Sequence, residues 1–338
     1  MSPVDPAITT ALNLDPSTAK MHPHGGSGFS STLKLTGTTT ASSSSGPGVK
    51  KTFFIKTGTG PDAETMFRGE FHSLHSLHSL HSLSHPHLHL CPPPHAHGPL
   101  TSPPSTFFLA TSFLDLSPPP STPPGTALSL ASKLAHLHTT PAPIPSGYTT
   151  PQFGFPVPTT CGATVQDNTF SPSWPEFFSE RRLRSVLNEG VRKHGADAPL
   201  SAAVGRVISE VVPRLLGGIA HVPVMVHGDL WSGNHGRGRI DGEEGVEEVV
   251  FDPAGVYGVG EYELGIMRMF GGFDRKGFWD EYERLMGGRG EPKGEWEGRV
   301  RLYELYHHLN HFALFGGGYR SGAMGIMKEL IAKYGGRE

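Results

Sequence analysis

The sequence predicts an α+β protein with two lobes: a small, β-rich lobe over residues 1–113 and a mainly helical lobe over residues 114–338. Short runs of β-branched and aromatic residues, typical of strands, are concentrated in the first part. Apolar residues at helical spacing are concentrated in the second part. The strand-like runs are 29–35, 52–56 and 106–114, and the main helix-like segments are 174–187, 200–216 and 296–315. A chain of 338 residues is long enough for two such lobes.

Local signals place several shorter helices. Asp5, followed by Pro6, is a helix cap and predicts a short helix within residues 4–14. Pro61 and Asp62 begin a helix that continues through Phe71. The other short helices are predicted at 128–138, 262–270 and 278–286.

Composition argues against several classes of protein. The formal net charge of −3 does not indicate the excess of basic residues that is typical of nucleic-acid-binding proteins. Two cysteines, Cys91 and Cys161, cannot form a disulfide framework and fit a reducing compartment. No apolar run reaches the ~20 residues of a membrane span, and the N-terminus lacks the apolar core of a signal peptide. We therefore expect a cytoplasmic protein whose partners include neither nucleic acid nor a membrane.

The first lobe contains two features that suit phosphate binding. A glycine turn that includes Gly26 and Gly28 precedes the alternating run 29–35, and glycines let backbone N–H groups approach a phosphate. The next strand, 52–56, carries Lys56 beside apolar residues, where it could pair with the phosphates of a nucleotide. Glycine turns and solvated strand lysines are each common, so the prediction depends on their order along the chain.

Two low-complexity segments interrupt this lobe. Residues 36–48, rich in Ser, Thr and Gly, predict a flexible hairpin tip. Residues 72–104 begin with four His-Ser-Leu repeats (72–83), whose leucines drift by about 60° per repeat around a helix. Histidines among prolines follow. A histidine tract could bind a metal, but no Cys/His spacing here fits a closed tetrahedral site, so we interpret the tract as a repeat expansion at the surface.

The strongest chemical signal is an acid followed by an amide and then a second acid. The apolar strand 222–226 leads into Asp229, Asn234 follows five residues later, and a second strand, 249–251, ends at Asp252. The glycine-rich residues between the two strands predict a hairpin. This layout is typical of a phosphotransferase: Asp229 would accept the proton of a hydroxyl nucleophile, and Asn234 and Asp252 would hold Mg²⁺ on the phosphates of ATP. The alternative is a polar hairpin with two capping aspartates.

These motifs resemble the fructosamine kinase family, also called ketosamine-3-kinases or protein-ribulosamine 3-kinases. The similarity is carried by HGDLWSGN (227–234), FDPAGVYG (251–258), EYELGIMRMFGGF (261–273) and PQFGFPVPTTCGATVQDN (151–168). The Trp-Ser-Gly inside the first motif separates this family from aminoglycoside and choline kinases. The resemblance implies a bilobal protein-kinase-like fold, similar to that of aminoglycoside phosphotransferases, over most of residues 20–330.

The resemblance also implies roles for residues of the first lobe. Glu70 matches the family as the partner of Lys56, and Glu64 is the alternative partner. The strand and hinge that meet the adenine edge would be formed by Thr111, Ser112 and Phe113. A plain core strand is the alternative interpretation of that stretch.

The substrate is implied by the resemblance alone. It consists of ketoamine adducts that sugars leave on protein lysines, ribulosamines or fructosamines, phosphorylated by ATP at the C3 hydroxyl. The phosphorylated adduct is unstable and leaves the lysine, so the reaction would reverse glycation. Trp231 would pack on the sugar or its lysine stem, and His311 would line the substrate site, although a structural role is open for both. At 312–314 this chain has Phe-Ala-Leu where the family often has Trp-Asn-His, which removes polar groups.

Three other interpretations stay open. The chain could be a kinase for another alcohol, such as an aminoglycoside or choline. It could be a catalytically inactive ATP-binding scaffold, as the interrupted region 72–104 suggests. It could store metal through its histidine tract. The partners predicted by the leading interpretation are glycated proteins or small ketoamines, with ATP and Mg²⁺ as cofactors.

Overall fold

The structure, a computed structural model, describes residues 3–25, 28–40, 47–84, 88–126, 128–274 and 277–336. Its contacts divide the chain into two compact units, one of residues 1–129 and 235–252, the other of residues 130–234 and 253–338. The sequence placed a single boundary after residue 113. The structure differs because residues 235–252 form strands that pair with residues of the first unit.

A five-stranded antiparallel sheet is the framework of the first unit. Its strands, in the spatial order β1-β2-β3-β5-β4, are β1 (Lys20–Pro23), β2 (Ser31–Thr38), β3 (Lys50–Thr59), β4 (Pro94–Pro99) and β5 (Thr106–Ser112). The predicted runs 29–35, 52–56 and 106–114 correspond to β2, β3 and β5. The strands β1 and β4 were not predicted, because short segments rich in proline and histidine lack the apolar alternation of a strand. Of the predicted hairpin tip between β2 and β3, residues 41–46 lie outside the described part.

Helices cover both faces of this sheet. The short helix α1 (Pro6–Ala11) begins at Asp5, whose carboxylate accepts the Ala7 N–H at 2.8 Å, as the capping signal predicted. Ile8 of α1 packs with Ile55 of β3 on one face. Successive strand residues point to opposite faces, so Lys56 points to the other face, where the helix α2 (Pro61–Ser84) lies.

The His-Ser-Leu repeats form part of α2, which is 24 residues long. Leu74 and Leu77 of the first two repeats are buried, and Ser73 donates a hydrogen bond to the Gly69 carbonyl at 2.7 Å. The repeats therefore extend the helix without moving its first half. Of the histidine tract that follows, residues 85–87 lie outside the described part.

A three-stranded antiparallel sheet completes the first unit. Its order is β11-β10-β6, with β6 (Leu114–Asp115), β10 (His235–Ile240) and β11 (Glu247–Val250). The expectation that residues 236–245 would join the strand ending at Val226 to the strand ending at Phe251 was wrong. Residues 235–240 form a strand of their own, because Arg237 and Arg239 are exposed in alternation with the buried Gly238 and Ile240.

The second unit is mainly helical, as predicted. Its helices are α3 (Leu130–Thr139), α4 (Trp174–Phe177), α5 (Ser185–His194), α6 (Ala198–Arg206), α7 (Val212–Leu216), α8 (Gly260–Phe270), α9 (Phe278–Leu285), α10 (Trp296–Phe315) and α11 (Gly318–Tyr334). The predicted helices at 174–187 and 200–216 each contain a π-helical segment, Phe178–Arg184 between α4 and α5 and Val207–Val211 between α6 and α7. The helix α11 was not predicted.

The core of the second unit is aromatic. α10 packs against α5, α8 and α11, and Trp174, 1% exposed, donates a hydrogen bond to the Tyr303 hydroxyl at 2.9 Å. Two small antiparallel pairs border this core: β7 (Thr159–Cys161) with β8 (Thr164–Gln166), and β9 (Val224–Val226) with β12 (Val256–Gly258). Within the described residues, the helices are either too short or too polar to cross a bilayer.

Candidate active site

A buried lysine in the first unit lies between two carboxylates. Lys56 Nζ donates hydrogen bonds to both carboxylate oxygens of Glu70 and to Oδ1 of Asp252, each at 2.8 Å. Lys56 and Glu70 are each 8% exposed, whereas the Asp252 side chain is 46% exposed. Glu64, the alternative partner, is an exposed residue six positions before Glu70. The partner of Lys56 on α2 is therefore Glu70.

The charges of this group fix the lysine as a cation. Although burial opposes it, the Asp252 and Glu70 carboxylates raise the pKa of Lys56 well above its usual value. Burial raises the pKa of Glu70 to about 7, with the Asp252 charge adding to this effect and Lys56 opposing it. An ammonium group held in one direction by Glu70 is suited to meeting a phosphate anion.

The three side chains line a cavity of about 270 Å³ within the first unit. Phe54 and Leu116 give it apolar walls, and Thr32 adds a hydroxyl group. Apolar walls with a few convergent polar groups are typical of small-molecule sites.

The glycine turn reaches this cavity through Gly25. Gly25 has a φ of +73° and is part of the cavity wall. Gly28 is exposed and is not one of the residues that line the cavity. Gly26, the other glycine predicted to bind the nucleotide, lies outside the described residues.

The predicted hinge residues are placed at the end of β5. Thr111 and Ser112 line the cavity, and Phe113, 8% exposed, follows them. Both backbone groups of Phe113 are occupied: its N–H donates to the Thr52 carbonyl at 3.1 Å, and its carbonyl accepts from Asp241 at 2.8 Å. Phe113 itself is not one of the residues that line the cavity.

The Ser112 carbonyl lies opposite a proline, Pro93, which cannot donate a backbone hydrogen bond to it. The Ser112 N–H donates to the Pro93 carbonyl at 2.9 Å, but Pro93 has no N–H to return the bond. Among the described residues, the donor recorded for the Ser112 carbonyl is the Thr111 hydroxyl at 3.2 Å. A carbonyl has two lone pairs, so this oxygen can accept a further hydrogen bond.

Asp252 has a backbone conformation that is uncommon outside glycine. Its φ is +58°, and it lies two residues after β11 and directly before Pro253. Such residues cluster at functional sites. Lys56 bonds Oδ1 of Asp252, and the Asp252 side chain is 46% exposed.

In the second unit, the turn at His227–Asp229 is held by a buried glutamate. Glu263 of α8 is fully buried and accepts the backbone N–H groups of His227 and Gly228, the latter at 3.0 Å. Gly228 has a φ of +80°, and a Cβ there would lie 2.2 Å from the Ala254 carbonyl oxygen. The turn therefore requires glycine at 228 and an acceptor at 263.

The side chains of Asp229 and Asn234 in this loop have defined partners. The thiol of Cys161, from β7, lies 3.6 Å from Oδ1 of Asp229. Burial, aided by the Asp229 charge, raises the pKa of the Cys161 thiol, so the thiol stays protonated and donates. Asn234, 7% exposed, donates from Nδ2 to the Asp229 carbonyl at 2.9 Å. The Asp229 carbonyl oxygen can only accept, so it is bonded by the amide nitrogen of Asn234. The amide oxygen Oδ1 of Asn234 is therefore the atom that could bind a metal.

Trp231 lies over the loop that carries it. A Cβ at Gly233 would be 2.2 Å from the Trp231 ring, so the ring packs directly on this glycine. The indole remains partly open to solvent, since Trp231 is 40% exposed. The Trp-Ser-Gly spacing thus positions an exposed indole two residues after Asp229.

Two neighbouring residues of α10 have different environments. Asn310 is fully buried and donates to the Cys161 carbonyl at 3.2 Å, which is a structural role. His311 is partly exposed and its Nδ1 lies 2.8 Å from the His307 carbonyl. Phe312, the first residue of the departure from the family pattern, is buried.

The histidine tract gives no metal site in the part of the chain that the structure describes. No three His, Cys, Asp or Glu side chains converge there at a distance that could hold a metal ion. His72 and His97 instead pack as rings, with centroids 6.0 Å apart.

A sequence model of the fructosamine kinase family matches residues 23–333. The chain belongs to the fructosamine kinase family. It is 37% identical over 180 residues to ketosamine-3-kinase of Mus musculus, a match that covers 53% of this chain and 54% of the mouse protein. It is 34% identical over 282 residues to protein-ribulosamine 3-kinase, chloroplastic, of Arabidopsis thaliana, covering 82% and 76%. The chain thus spans about half the length of the mouse relative in this match, and about three quarters of the plant one.

Solved structures confirm the predicted protein-kinase-like fold. A putative fructosamine-3-kinase from Thermobifida fusca has a TM-score of 0.70 at 23% identity and covers 97% of this chain and 98% of its own. Aminoglycoside phosphotransferase APH(4)-Ia, in a ternary complex with AMP-PNP and hygromycin B, has a TM-score of 0.52 at 13% identity, covering 97% and 98%. The fold is therefore shared with kinases of different acceptors.

Sequence reasoning missed three residues of this candidate site. Glu263 and Cys161 fall inside motifs that carried the family resemblance, but their roles depend on partners far away in the chain. His138 was also missed: its Nε2 lies 3.9 Å from Glu263, and its Nδ1 lies 2.7 Å from the Tyr282 hydroxyl. The first turn of α8 carries two acidic residues, Glu261 and Glu263, and their position alone does not show which of them is buried.

Proposed function

We propose that this fructosamine kinase transfers the γ-phosphoryl group of ATP to the C3 hydroxyl of ketoamines, the ribulosamine or fructosamine adducts of protein lysines. The observation that supports this most directly is the Lys56 ammonium held by Glu70 and Asp252 in a cavity of the first unit. The names of the relatives support a ketoamine rather than an aminoglycoside as acceptor.

The nucleotide would bind the first unit. Lys56 would meet the phosphates, and Glu70 would keep its direction. The Ser112 carbonyl would accept a hydrogen bond from the adenine edge, with Thr111 and Phe113 beside it. Gly25, and with it the predicted Gly26 and Gly28, would bring backbone N–H groups to the phosphates.

Asp252 and Asn234 would each supply a ligand to a magnesium ion. Asp252 Oδ2 and Asn234 Oδ1 are hard oxygen atoms, and each side chain has its other polar atom held by a hydrogen bond. When bound, Mg²⁺ would neutralise charge on the phosphate oxygens. The positive φ of Asp252 orients its carboxylate for this role.

Asp229 would act as the general base. Its carboxylate would accept the proton of the C3 hydroxyl as that oxygen bonds to phosphorus and ADP leaves. The Cys161 thiol would hold one carboxylate oxygen, and Glu263 would hold the backbone of the turn. Both contacts fix the direction of the base before the acceptor arrives.

Trp231 and His311 would contact the acceptor. Trp231 presents an exposed indole beside Asp229, which suits packing on a sugar or on a lysine stem. The phosphorylated ketoamine is unstable and would leave the lysine, so the reaction would deglycate the protein. We propose that it does so in the cytoplasm, where the two buried cysteines, which form no disulfide, would stay reduced.

The deciding experiment measures ADP production with ribulosyl-lysine, fructosyl-lysine, hygromycin B and choline side by side. We expect turnover with one or both ketoamines and none with the other two alcohols. Phosphorus NMR should place the phosphate on C3. ADP release with hygromycin B or choline but not with ketoamines would refute the proposed acceptor. ATP binding without turnover on any acceptor would indicate an inactive scaffold.

A further inference from the structure

A row of aromatic side chains runs from the catalytic turn to the start of α11 within the second unit. Ring centroids are 5.8 Å apart for Trp231 and Phe270, 5.1 Å for Phe270 and His311, and 5.8 Å for His311 and Phe315. Tyr319 lies 5.1 Å from His311. We call these five residues the aromatic row. They come from the catalytic loop, the last turns of α8 and α10, and the first turn of α11.

The aromatic row is open to solvent. Trp231 and Phe270 are each 40% exposed, and Phe315 is 60% exposed. His311 and Tyr319 are partly exposed. Single exposed apolar residues are ordinary, but a contiguous exposed row is typical of a binding surface.

His311 keeps the row uncharged. Its Nδ1 faces the His307 carbonyl, which only accepts, so Nδ1 carries the proton and Nε2 is the acceptor. Burial lowers the pKa of His311, which favours this neutral form at neutral pH. A cationic ligand would therefore meet ring faces, which attract ammonium groups, instead of a like charge.

We propose that the aromatic row binds the polypeptide that carries the ketoamine, an inference that rests on the proposed function. The row begins at Trp231, two residues after Asp229, so it is continuous with the place where the acceptor hydroxyl would react. In a glycated lysine, about 10 Å of chain separates the C3 hydroxyl from Cα.

The steps from Trp231 to Phe270 and from Phe270 to His311, 5.8 Å and 5.1 Å between ring centroids, together cover about the distance from the C3 hydroxyl to the lysine Cα. Trp231 and Phe270 would meet the lysine stem and its protonated amine, and Phe315 and Tyr319 would meet the flanking peptide. The preferred substrate is then a ketoamine on a polypeptide rather than a free small ketoamine.

The test compares kcat/KM for a fructosylated peptide and for fructosyl-butylamine in four proteins. These are the wild type, Phe315→Ala, Tyr319→Ala and the control Leu285→Ala, which removes an exposed side chain of α9 outside the row. We expect the wild type to favour the peptide by about tenfold or more. Phe315→Ala and Tyr319→Ala should each lower the peptide-to-small-substrate ratio by about 5- to 30-fold, mainly through KM. Leu285→Ala should keep the ratio within about twofold.

A second measurement needs no variant. The unglycated form of the same peptide should inhibit the wild type competitively against the glycated peptide. Absence of inhibition, equal kcat/KM for the two substrates, or equal losses for both substrates in Phe315→Ala would each overturn the assignment. Turnover of fructosyl-butylamine in those cases would leave the proposed function intact, whereas turnover of neither substrate would refute the function and the inference together.

Discussion

Replacing Lys56 by Met should destabilise the protein in a pH-dependent way. The substitution keeps much of the side-chain volume but removes the cation that faces Glu70 and Asp252. Burial and the Asp252 charge, which raise the pKa of Glu70 to about 7 even beside the lysine, would then act unopposed. The Glu70 pKa in the variant should therefore lie above 7.

The size of the effect follows from that pKa. A carboxyl group whose folded-state pKa is raised costs nothing below its unfolded pKa of about 4.5 and the full amount above its folded pKa. Each pKa unit corresponds to 1.36 kcal/mol. The wild type already carries the cost of a Glu70 pKa of about 7, so at pH 8 the further rise of this pKa in the variant should cost about 1 kcal/mol, and more at higher pH. The loss should shrink as the pH falls from 8 to below 7, because Glu70 is then protonated in both proteins.

The assay is urea unfolding at pH 5 and pH 8, followed by far-UV circular dichroism. Tryptophan fluorescence would not serve, since all four tryptophans lie in the second unit. The control Lys193→Met removes an exposed ion pair with Glu189 and should change stability by less than about 1 kcal/mol. Adding Glu70→Gln to the variant should restore most of the stability at pH 8. Equal losses at pH 5 and pH 8 would refute the reasoning, and an unchanged KM for ATP would remove Lys56 from the nucleotide site.

Three further substitutions test the second unit. Asp229→Asn should lower kcat by about 10²–10⁴ while sparing ATP affinity. The hydrogen bond from Asn234 should survive, because it goes to the backbone carbonyl of residue 229. A near-normal kcat would exclude Asp229 as the base. Gly233→Ala should displace the Trp231 ring, changing its fluorescence and raising KM for the ketoamine, and an unaltered spectrum would contradict this packing. Glu263→Ala should cost about 2 kcal/mol or more of stability, since two buried N–H groups lose their acceptor; urea unfolding followed by tryptophan fluorescence measures the loss, and a value below about 0.5 kcal/mol would oppose the role.

The pairing of Lys56 with Glu70 shows what local sequence can predict. A strand lysine followed by an acid-bearing helix is a short-range pattern, and the choice between Glu64 and Glu70 depends on which helical face is buried. Strong periodicity likewise placed β2, β3, β5 and the long helix α10, because each presents one apolar face over several residues.

The errors concern contacts between distant segments. Whether β10 joins the first unit depends on its pairing with β6, more than 100 residues earlier, and the local sequence of a six-residue strand rich in glycine does not encode that partner. Glu263 escaped notice for a similar reason: a buried carboxylate that accepts backbone N–H groups leaves no pattern of residue types to find. Pro93, which accepts the Ser112 N–H and has no N–H of its own to donate to the Ser112 carbonyl, likewise lies far from Ser112 in the local sequence, so this feature could not be predicted.

The position of the His-Ser-Leu array along α2 has a consequence for changes in its length. A gain or loss of whole three-residue copies after Leu77 would fall in the C-terminal part of the helix. Glu70 and the buried residues Leu74 and Leu77 all precede that point. The number of copies could therefore differ without changing the sequence that carries the acid facing Lys56.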